Sequence, residues 1–105
     1  MKTAELTGAA LDWAVAECEG LKGNVLGAIL AGELSPSTQW HYGGPIIERE
    51  GIDLQCQNQG LWCADLGLDA SIYGPTPLIA AMRCYVASRL GDEVELPSVF
   101  EKIGL

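Results

Sequence analysis

The sequence is poor in the residues from which metal sites are built. Its 105 residues include one histidine, His41, and four cysteines, none of which form a C-x-x-C pair. Structural zinc sites in small domains need about four Cys or His ligands at close, regular spacing. We therefore expect no zinc site, and the thiols are predicted to be reduced and to serve as small core residues. The four cysteines are Cys18, Cys56, Cys63 and Cys84.

Recognisable catalytic motifs are also missing. The sequence has no G-x-S-x-G turn, P-loop, dinucleotide-binding glycine fingerprint or H-E-x-x-H helix. Ser35, Ser37 and Thr38 carry hydroxyls, but no base lies near them in the sequence to activate a nucleophile. His41 could act as a general base, although a lone histidine among aromatic residues is more often used for packing or recognition. We expect a protein that binds without catalysing a reaction and that needs no cofactor.

Positive charge is scarce. Six Lys and Arg residues stand against fourteen Asp and Glu residues, which gives a net charge of -8. A surface of this sign repels the phosphates of nucleic-acid duplexes, so DNA and RNA duplexes are not expected as partners. One or two arginines can still hold a small anion, and Arg49 and Arg83 form the candidate pair. The alternative for each arginine is a salt bridge to a nearby carboxylate.

Long apolar runs are absent as well. No stretch approaches the roughly 20 apolar residues of a membrane span, and the acidic N-terminal segment lacks the pattern of a signal peptide. The sequence therefore predicts a protein without a membrane partner that stays where it is made. Its length suits one domain over residues 1–105, and a hydrophobic fraction of 49% is sufficient for a packed core.

Two segments have the spacing of amphipathic helices. The first covers residues 7–19, with apolar side chains at i, i+3, i+4 and i+7, and is followed by Gly20. The second has Thr76 as its N-cap and Pro77 in the first helical position, and it ends at Gly91. The expected apolar face of this second helix consists of Leu78, Ile79, Met82, Tyr85, Val86 and Leu90.

The segment between the helices favours a hairpin. Residues 52–57 alternate between apolar and polar, as a half-buried strand does, and residues 61–66 resemble a second strand. A two-residue turn at residues 59–60 would place Cys56 opposite Cys63. A cross-strand disulfide is then conceivable, although free thiols are expected under reducing conditions.

The remaining segments complete the predicted fold. Residues 25–30, in a stretch interrupted by glycines, are compatible with a buried strand or a short helix. Val94 and Leu96 suggest an edge strand, and Pro97 the start of a final helical turn. Together the elements predict an α+β fold, a small antiparallel sheet with two main helices packed on one face.

Residues 35–45 (SPSTQWHYGGP) have the composition of an ordered recognition loop. Trp40 and Tyr42 supply stacking surfaces, and Gly43 and Gly44 let a ligand approach the backbone closely. This mixture suits a planar heterocycle with polar groups, or a protein partner; the alternative is that Trp40 fills the core. The aromatic, glycine and arginine residues are expected to converge on one cleft. The predicted ligand-binding residues are Ser37, Thr38, Trp40, Tyr42, Gly43, Gly44, Arg49 and Arg83.

Three stretches carry a resemblance to a known family. MKTAELTGAALDWAVAECEG, SPSTQWHYGGPIIEREGI and TPLIAAMRCYVASRLGDEVELP cover well over half of the chain. Their content and order resemble the NinX family, accessory proteins encoded mainly in lambdoid phages and related prophages. The matching family features are Trp13, Ser37, Trp40, Gly43, Gly44, Pro45, Glu48, Arg49, Thr76, Pro77 and Arg83.

The resemblance implies a phage gene that is expressed in the cytoplasm of an infected bacterial host and is dispensable for virion structure. It implies no particular biochemical activity. Small phage accessory proteins commonly act against host defences, so the leading expectation is counter-defence by sequestering a small nucleotide-like host signal. A homo-oligomer is expected, because a small domain forms a deep pocket most easily between subunits. The alternatives are an acidic protein-interaction module that blocks a host defence protein or nuclease, and a small nucleotide-processing enzyme.

Overall fold

The computed structural model describes residues 1–67 and 71–102 of the chain. A short 3-10 turn at Thr3–Glu5 precedes five α-helices and three β-strands in these residues. In chain order they are α1 (Gly8–Glu19), α2 (Val25–Leu30), α3 (Trp40–Glu50), β1 (Asp53–Asn58), β2 (Leu61–Asp65), β3 (Ile72–Gly74), α4 (Pro77–Leu90) and α5 (Val99–Lys102). None of the helices described is both long and apolar enough to cross a lipid bilayer.

The α1 helix forms where the apolar periodicity predicted it. Its Leu11 and Val15 side chains are buried in the core. Gly20 ends the helix with a left-handed backbone, at φ +69°, which costs glycine little because it has no Cβ. Its N–H donates to the carbonyls of the last helical turn. The apolar spacing therefore determines which face of α1 is buried, and Gly20 determines where the helix ends.

The α4 helix confirms the predicted capping. Thr76 Oγ1 accepts a hydrogen bond of 3.1 Å from the Ile79 N–H, and Pro77 occupies the first helical position. Met82 and Val86 are fully buried, as the predicted apolar face requires. Leu90 was expected on the same face but is 43% exposed, so the buried face of α4 ends before its last turn.

The three strands form one antiparallel sheet in the order β1-β2-β3. The hairpin between β1 and β2 turns at residues 59–60, as predicted. The predicted pairing of Cys56 with Cys63 is wrong, because a bulge after Cys56 shifts the register and places Trp62 opposite Cys56. All four cysteines are free thiols in this structure.

Helix α4 connects the sheet with the other helices. It contacts all three strands on one side and packs against α1 and α3 elsewhere on its surface. The core includes Met82 and Tyr85 from α4 and Leu11 from α1, with Phe100 from α5. The α+β class with a small antiparallel sheet is thus confirmed, and α1 adds to the core mainly by packing on α4.

Helix α3 is the largest departure from the predicted fold. Residues 35–45 were expected to be a loop, yet the chain is helical from Trp40 onward and continues through Pro45. Two glycines and a proline disfavour a helix locally, but tertiary packing reverses the preference. Gly43 is buried, and a Cβ built there would lie 2.6 Å from both Leu78 Cδ2 and the Pro36 carbonyl oxygen. Gly43 therefore permits close packing of α3 on α4, rather than close approach of a ligand.

The ends of the described chain are joined by a short bridge. Lys2 and Glu93 form an isolated antiparallel β-bridge, and the Val94 N–H donates to the Met1 carbonyl at 2.9 Å. The expected edge strand at Val94 and Leu96 is therefore wrong, because the partner segment continues directly into the 3-10 turn. The helical turn expected after Pro97 is present as α5, and residues 25–30 adopt the helical alternative, α2.

Candidate functional site

The eight residues predicted to bind a ligand do not form one cleft. Thr38 and Trp40 line a cavity at the start of α4. Tyr42 lines a second cavity beside α1. Arg83 lines a third cavity, next to β3. The prediction that these side chains converge on one cleft is therefore wrong, because they border three different cavities.

The cavity at the start of α4, here called the Trp40 cleft, has a volume of about 230 Å³. It lies between the segment that precedes α3 and the first turn of α4. Trp40 lines this cleft and is 55% exposed. Thr38 and Thr76 add hydroxyl groups. The lining consists of Ser37, Thr38, Trp40, Thr76, Pro77, Leu78 and Ile79.

A buried carboxylate holds the segment that shapes this cleft. Asp12, on α1, is only 3% exposed. Its Oδ1 accepts a hydrogen bond of 2.8 Å from the Ser37 N–H, and its Oδ2 accepts one of 3.0 Å from Ser35 Oγ. Ser35 Oγ also lies 2.6 Å from Thr38 Oγ1, and the Ser35 N–H donates to Gln39 Oε1 at 3.0 Å. These bonds fix the backbone that leads into Trp40.

Burial and hydrogen bonding act on Asp12 in opposite directions. Desolvation raises the pKa of the carboxyl group, while the hydrogen bonds from Ser37 and Ser35 partly offset that rise. Sequence reasoning missed this residue. Its only signal was its position beside the apolar stripe of α1, three residues before Val15, where a solvated carboxylate would be unexpected.

The Ser37 hydroxyl does not face the cleft. Ser37 Oγ is closed off from solvent and makes no hydrogen bond to any described residue. It lies near enough to the Asp12 carboxylate to help lower the pKa of that group, but not in hydrogen-bonding geometry. Ser37 therefore contributes through its backbone N–H, which donates to Asp12.

Arg49 is committed to an ion-pair network around Tyr85. Its guanidinium binds the Glu19 carboxylate through two nitrogens, at 2.6 and 3.1 Å, and binds Glu50 at 2.9 Å. It also lies over the Tyr85 ring, 5.7 Å from the centroid. Arg89 reaches Glu50 at 3.1 Å from the other side. With its charge matched by two carboxylates, Arg49 is not free to hold an anion.

The same network shifts the ionisation of its members. Hydrogen bonds from Arg49 lower the pKa of Glu19. Burial, followed by the hydrogen bond that its hydroxyl donates to Glu19, raises the pKa of Tyr85 to about 12. The network therefore joins the C-terminal ends of α1 and α3 to α4, with all its groups in their ordinary charge states at neutral pH.

Two of the three guanidinium nitrogens of Arg83 bind backbone carbonyls. Its Nε donates to the Leu6 carbonyl at 2.7 Å, and its Nη1 donates to the Tyr73 carbonyl at 2.9 Å. The expected alternative, a salt bridge, is not found either: within residues 1–67 and 71–102, no carboxylate pairs with Arg83. Desolvation lowers the pKa of Arg83. The side chain thus ties the N-terminal segment to β3.

The second aromatic residue borders an apolar cavity of about 190 Å³. Tyr42 is 39% exposed there, and its ring lies 4.3 Å from the His41 ring. Gly44 is half-buried behind Trp40, and a Cβ there would make only ordinary contact with that ring at 3.9 Å. The cavity lining consists of Val15, Ala16, Glu19, Leu21, Leu34, Pro36, Tyr42 and Ile46.

A metal centre finds no support in the arrangement of acidic, cysteine and histidine side chains. Within residues 1–67 and 71–102, no three of them come close enough to hold an ion.

A family model described as Bacteriophage P22, NinX matches residues 2–89, which extend from the N-terminal turn almost to the end of α4 and include the Trp40 cleft. The match identifies a phage accessory protein. The chain belongs to the NinX family, as its sequence stretches indicated. A comparison with curated protein sequences gave no match.

Proposed function

We propose that this NinX-family protein acts by non-catalytic binding, and that the Trp40 cleft takes a small nucleotide-like ligand, a planar ring that bears an anionic group. The observation that carries the proposal is the placement of Trp40, 55% exposed at the edge of a cavity. An aromatic side chain that exposed adds little to the core and can stack a base. Such stacking contributes about 1–3 kcal/mol per base.

Two helix N-termini support binding of the anionic group. α3 begins at Trp40 and α4 at Pro77, and both residues line the cleft. Helix N-termini carry partial positive charge and unpaired N–H groups. The N–H groups of Trp40 and His41 donate to no acceptor in the described part of the chain. In this proposal these N–H groups bind the anion, as Arg49 and Arg83 were expected to do.

The proposed cellular role is counter-defence. By holding a nucleotide signal in the cytoplasm of the infected host, the protein would lower the free concentration available to a defence system. This role rests on the phage family and on the kind of ligand that the cleft suits. Sequestration requires that the ligand be bound and released unchanged.

Thermal unfolding with a panel of nucleotides tests the proposal. A bound nucleotide should stabilise the wild type by about RT ln(1 + [L]/Kd), or roughly 2.7 kcal/mol at a hundred times Kd. Trp40→Ala should abolish most of this shift without lowering the melting temperature of the free protein. Tyr73→Ala is the matched control, because Tyr73 is 48% exposed but lines a different cavity.

The outcomes separate the candidate functions. No shift with any nucleotide, or an equal loss in both variants, would contradict binding at the Trp40 cleft. Recovery of a chemically altered nucleotide would replace sequestration by an enzymatic function.

A second candidate is an acidic module that blocks a host defence protein or nuclease. The net charge of -8 favours it, as do Tyr42 and Leu21, which are exposed beside the apolar cavity at α1. Acidic surfaces attract basic sites on partners, and salt weakens such complexes. This candidate predicts a salt-sensitive complex with a host protein that Tyr42→Ala weakens and Trp40→Ala leaves intact.

A further inference from the structure

Strand β1 forms an open edge of the sheet. It pairs only with β2, and its other side makes no backbone hydrogen bond to any described residue. Five of its six side chains are exposed, so no element among the described residues covers this edge. The opposite edge is protected, because β3 has only three residues, Arg83 binds the Tyr73 carbonyl, and Pro75 follows.

The open edge lacks most of the features that prevent strand pairing. Exposed edges in monomers usually carry lysine, proline or inward charges, or they are very short. β1 has six residues and contains neither lysine nor proline, and its only charged residue is Asp53 at one end. Residues 54–58 are uncharged in a chain of net charge -8. The one protective feature is the bulge between Cys56 and Asn58.

We propose that β1 pairs with β1 of a second copy of this chain, antiparallel, about a two-fold axis at Gln55. In an antiparallel pair, directly opposed side chains point to the same side of the sheet. Each residue of β1 must therefore lie opposite the same residue of the second copy, or one an even number of positions away in the sequence. An axis at Gln55 satisfies this rule and keeps the bulge outside the central pairs. The result is a continuous sheet in the order β3-β2-β1-β1-β2-β3.

The opposed side chains in this register are complementary. Gln55 faces the partner's Gln55, so the two amides can hydrogen-bond to each other. Leu54, half-buried on the α4 side of the sheet, faces the partner's Cys56, and the pairing covers both apolar groups. Asp53 lies opposite the partner's bulge, where Gln57 and Asn58 are uncharged, so no like charges are directly opposed. The pairing does not depend on the ligand proposed for the Trp40 cleft.

The net charge of the chain determines how salt should affect the stability of the dimer. Two copies of net charge -8 repel each other at long range, while the paired strands contribute no ionic contact. Salt screens the repulsion, so the dimer should become more stable as ionic strength rises. Sedimentation analysis of the wild type over a range of concentrations and salt should show a monomer–dimer equilibrium. A monomer under all conditions would overturn the proposal.

Charge substitution at the axis tests the register. Gln55→Lys and Gln55→Glu each place two like charges opposite one another, which is destabilising in a sheet. Both should weaken the dimer, by up to about fivefold. If overall charge alone governed association, the lysine variant would strengthen the dimer and the glutamate variant would weaken it. That result, or no effect of either variant, would refute pairing at Gln55.

Disulfide trapping gives an independent test. Leu54→Cys places a thiol opposite the partner's Cys56, within the reach of a disulfide. Mild oxidation should then give a covalent dimer on a non-reducing gel. Leu54→Cys combined with Cys56→Ser is the matched control and should not cross-link. The wild type should not cross-link through Cys56 either, because the two Cys56 residues are diagonal neighbours, about 8 Å apart. No covalent dimer from the single variant, or an equal yield from the control, would overturn the register.

Discussion

Removal of the buried carboxylate at Asp12 should loosen the segment that leads into Trp40. In Asp12→Ala the Ser37 N–H, which now donates to Asp12 at 2.8 Å, loses its acceptor in a buried position. An unsatisfied buried donor costs about 1–3 kcal/mol. Ser35 Oγ keeps Thr38 Oγ1 as a partner at 2.6 Å and should add little. Removing a desolvated charge offsets part of the loss, so we expect destabilisation of about 1–2 kcal/mol.

Asp12→Asn separates the hydrogen bonds from the charge. The amide oxygen can still accept from the Ser37 N–H, and the charge that burial disfavours is gone. This variant should therefore unfold within about 0.5 kcal/mol of the wild type. Urea denaturation of both variants, followed by circular dichroism, measures the difference. If Asp12→Ala were as stable as Asp12→Asn, Asp12 would not hold the segment.

The difference in stability between the wild type and Asp12→Asn should change with pH in a definite direction. Burial raises the pKa of Asp12 in the folded protein above its ordinary value of 3.8. The folded state then binds a proton more readily than the unfolded state, and the resulting stabilisation is complete below pH 3.8. It is lost as the pH rises through the folded pKa. The stability of the wild type relative to Asp12→Asn should therefore fall over that interval and stay constant above it; a rise would contradict the burial argument.

Four further predictions concern the core and the thiols. Met82→Ala should cost about 2–5 kcal/mol in urea denaturation, because Met82 is fully buried; a loss below about 0.5 kcal/mol would show that α4 faces elsewhere. Gly43→Ala should cost about 1–3 kcal/mol by overpacking against Leu78, whereas a neutral effect would refute the close helix contact. All four cysteines should titrate as thiols in the unfolded protein. In the folded protein the exposed Cys56 should react with iodoacetamide before Cys84, because burial raises the pKa of Cys84 to about 11. Faster reaction of Cys84 would contradict its burial.

Elements defined by local chemistry were predictable from the sequence. The limits of α1 and α4 follow from an apolar periodicity closed by recognisable caps, such as Thr76 with Pro77 at the start of α4. These signals lie within a few residues of the structure they determine. The turn at residues 59–60 is local in the same sense.

Features decided by distant contacts were not predictable. Whether Gly43 lies in a loop or a helix depends on Leu78, thirty-five positions away. The bulge that separates Cys56 from Cys63 has no sequence signal, because an extra residue in a strand of neutral polar side chains leaves the composition unchanged.

The candidate site was only partly predictable for the same reason. Trp40 and Thr38 line the same cleft, as their nearness in the sequence suggested. Arg49 and Arg83 appeared free because their partners, Glu19 and the Leu6 carbonyl, are remote in the sequence. A single sequence does not reveal whether a cation is already paired in the folded chain.

The proposed function requires that the Trp40 cleft holds a small anionic ligand. The most direct measurement is mass spectrometry of the small molecules released when the protein, purified from phage-infected cells, is denatured. The wild type and Tyr73→Ala should release the same nucleotide-like compound in comparable amounts, and Trp40→Ala should release little of it. Release of no such compound from the wild type, or undiminished release from Trp40→Ala, would contradict the claim.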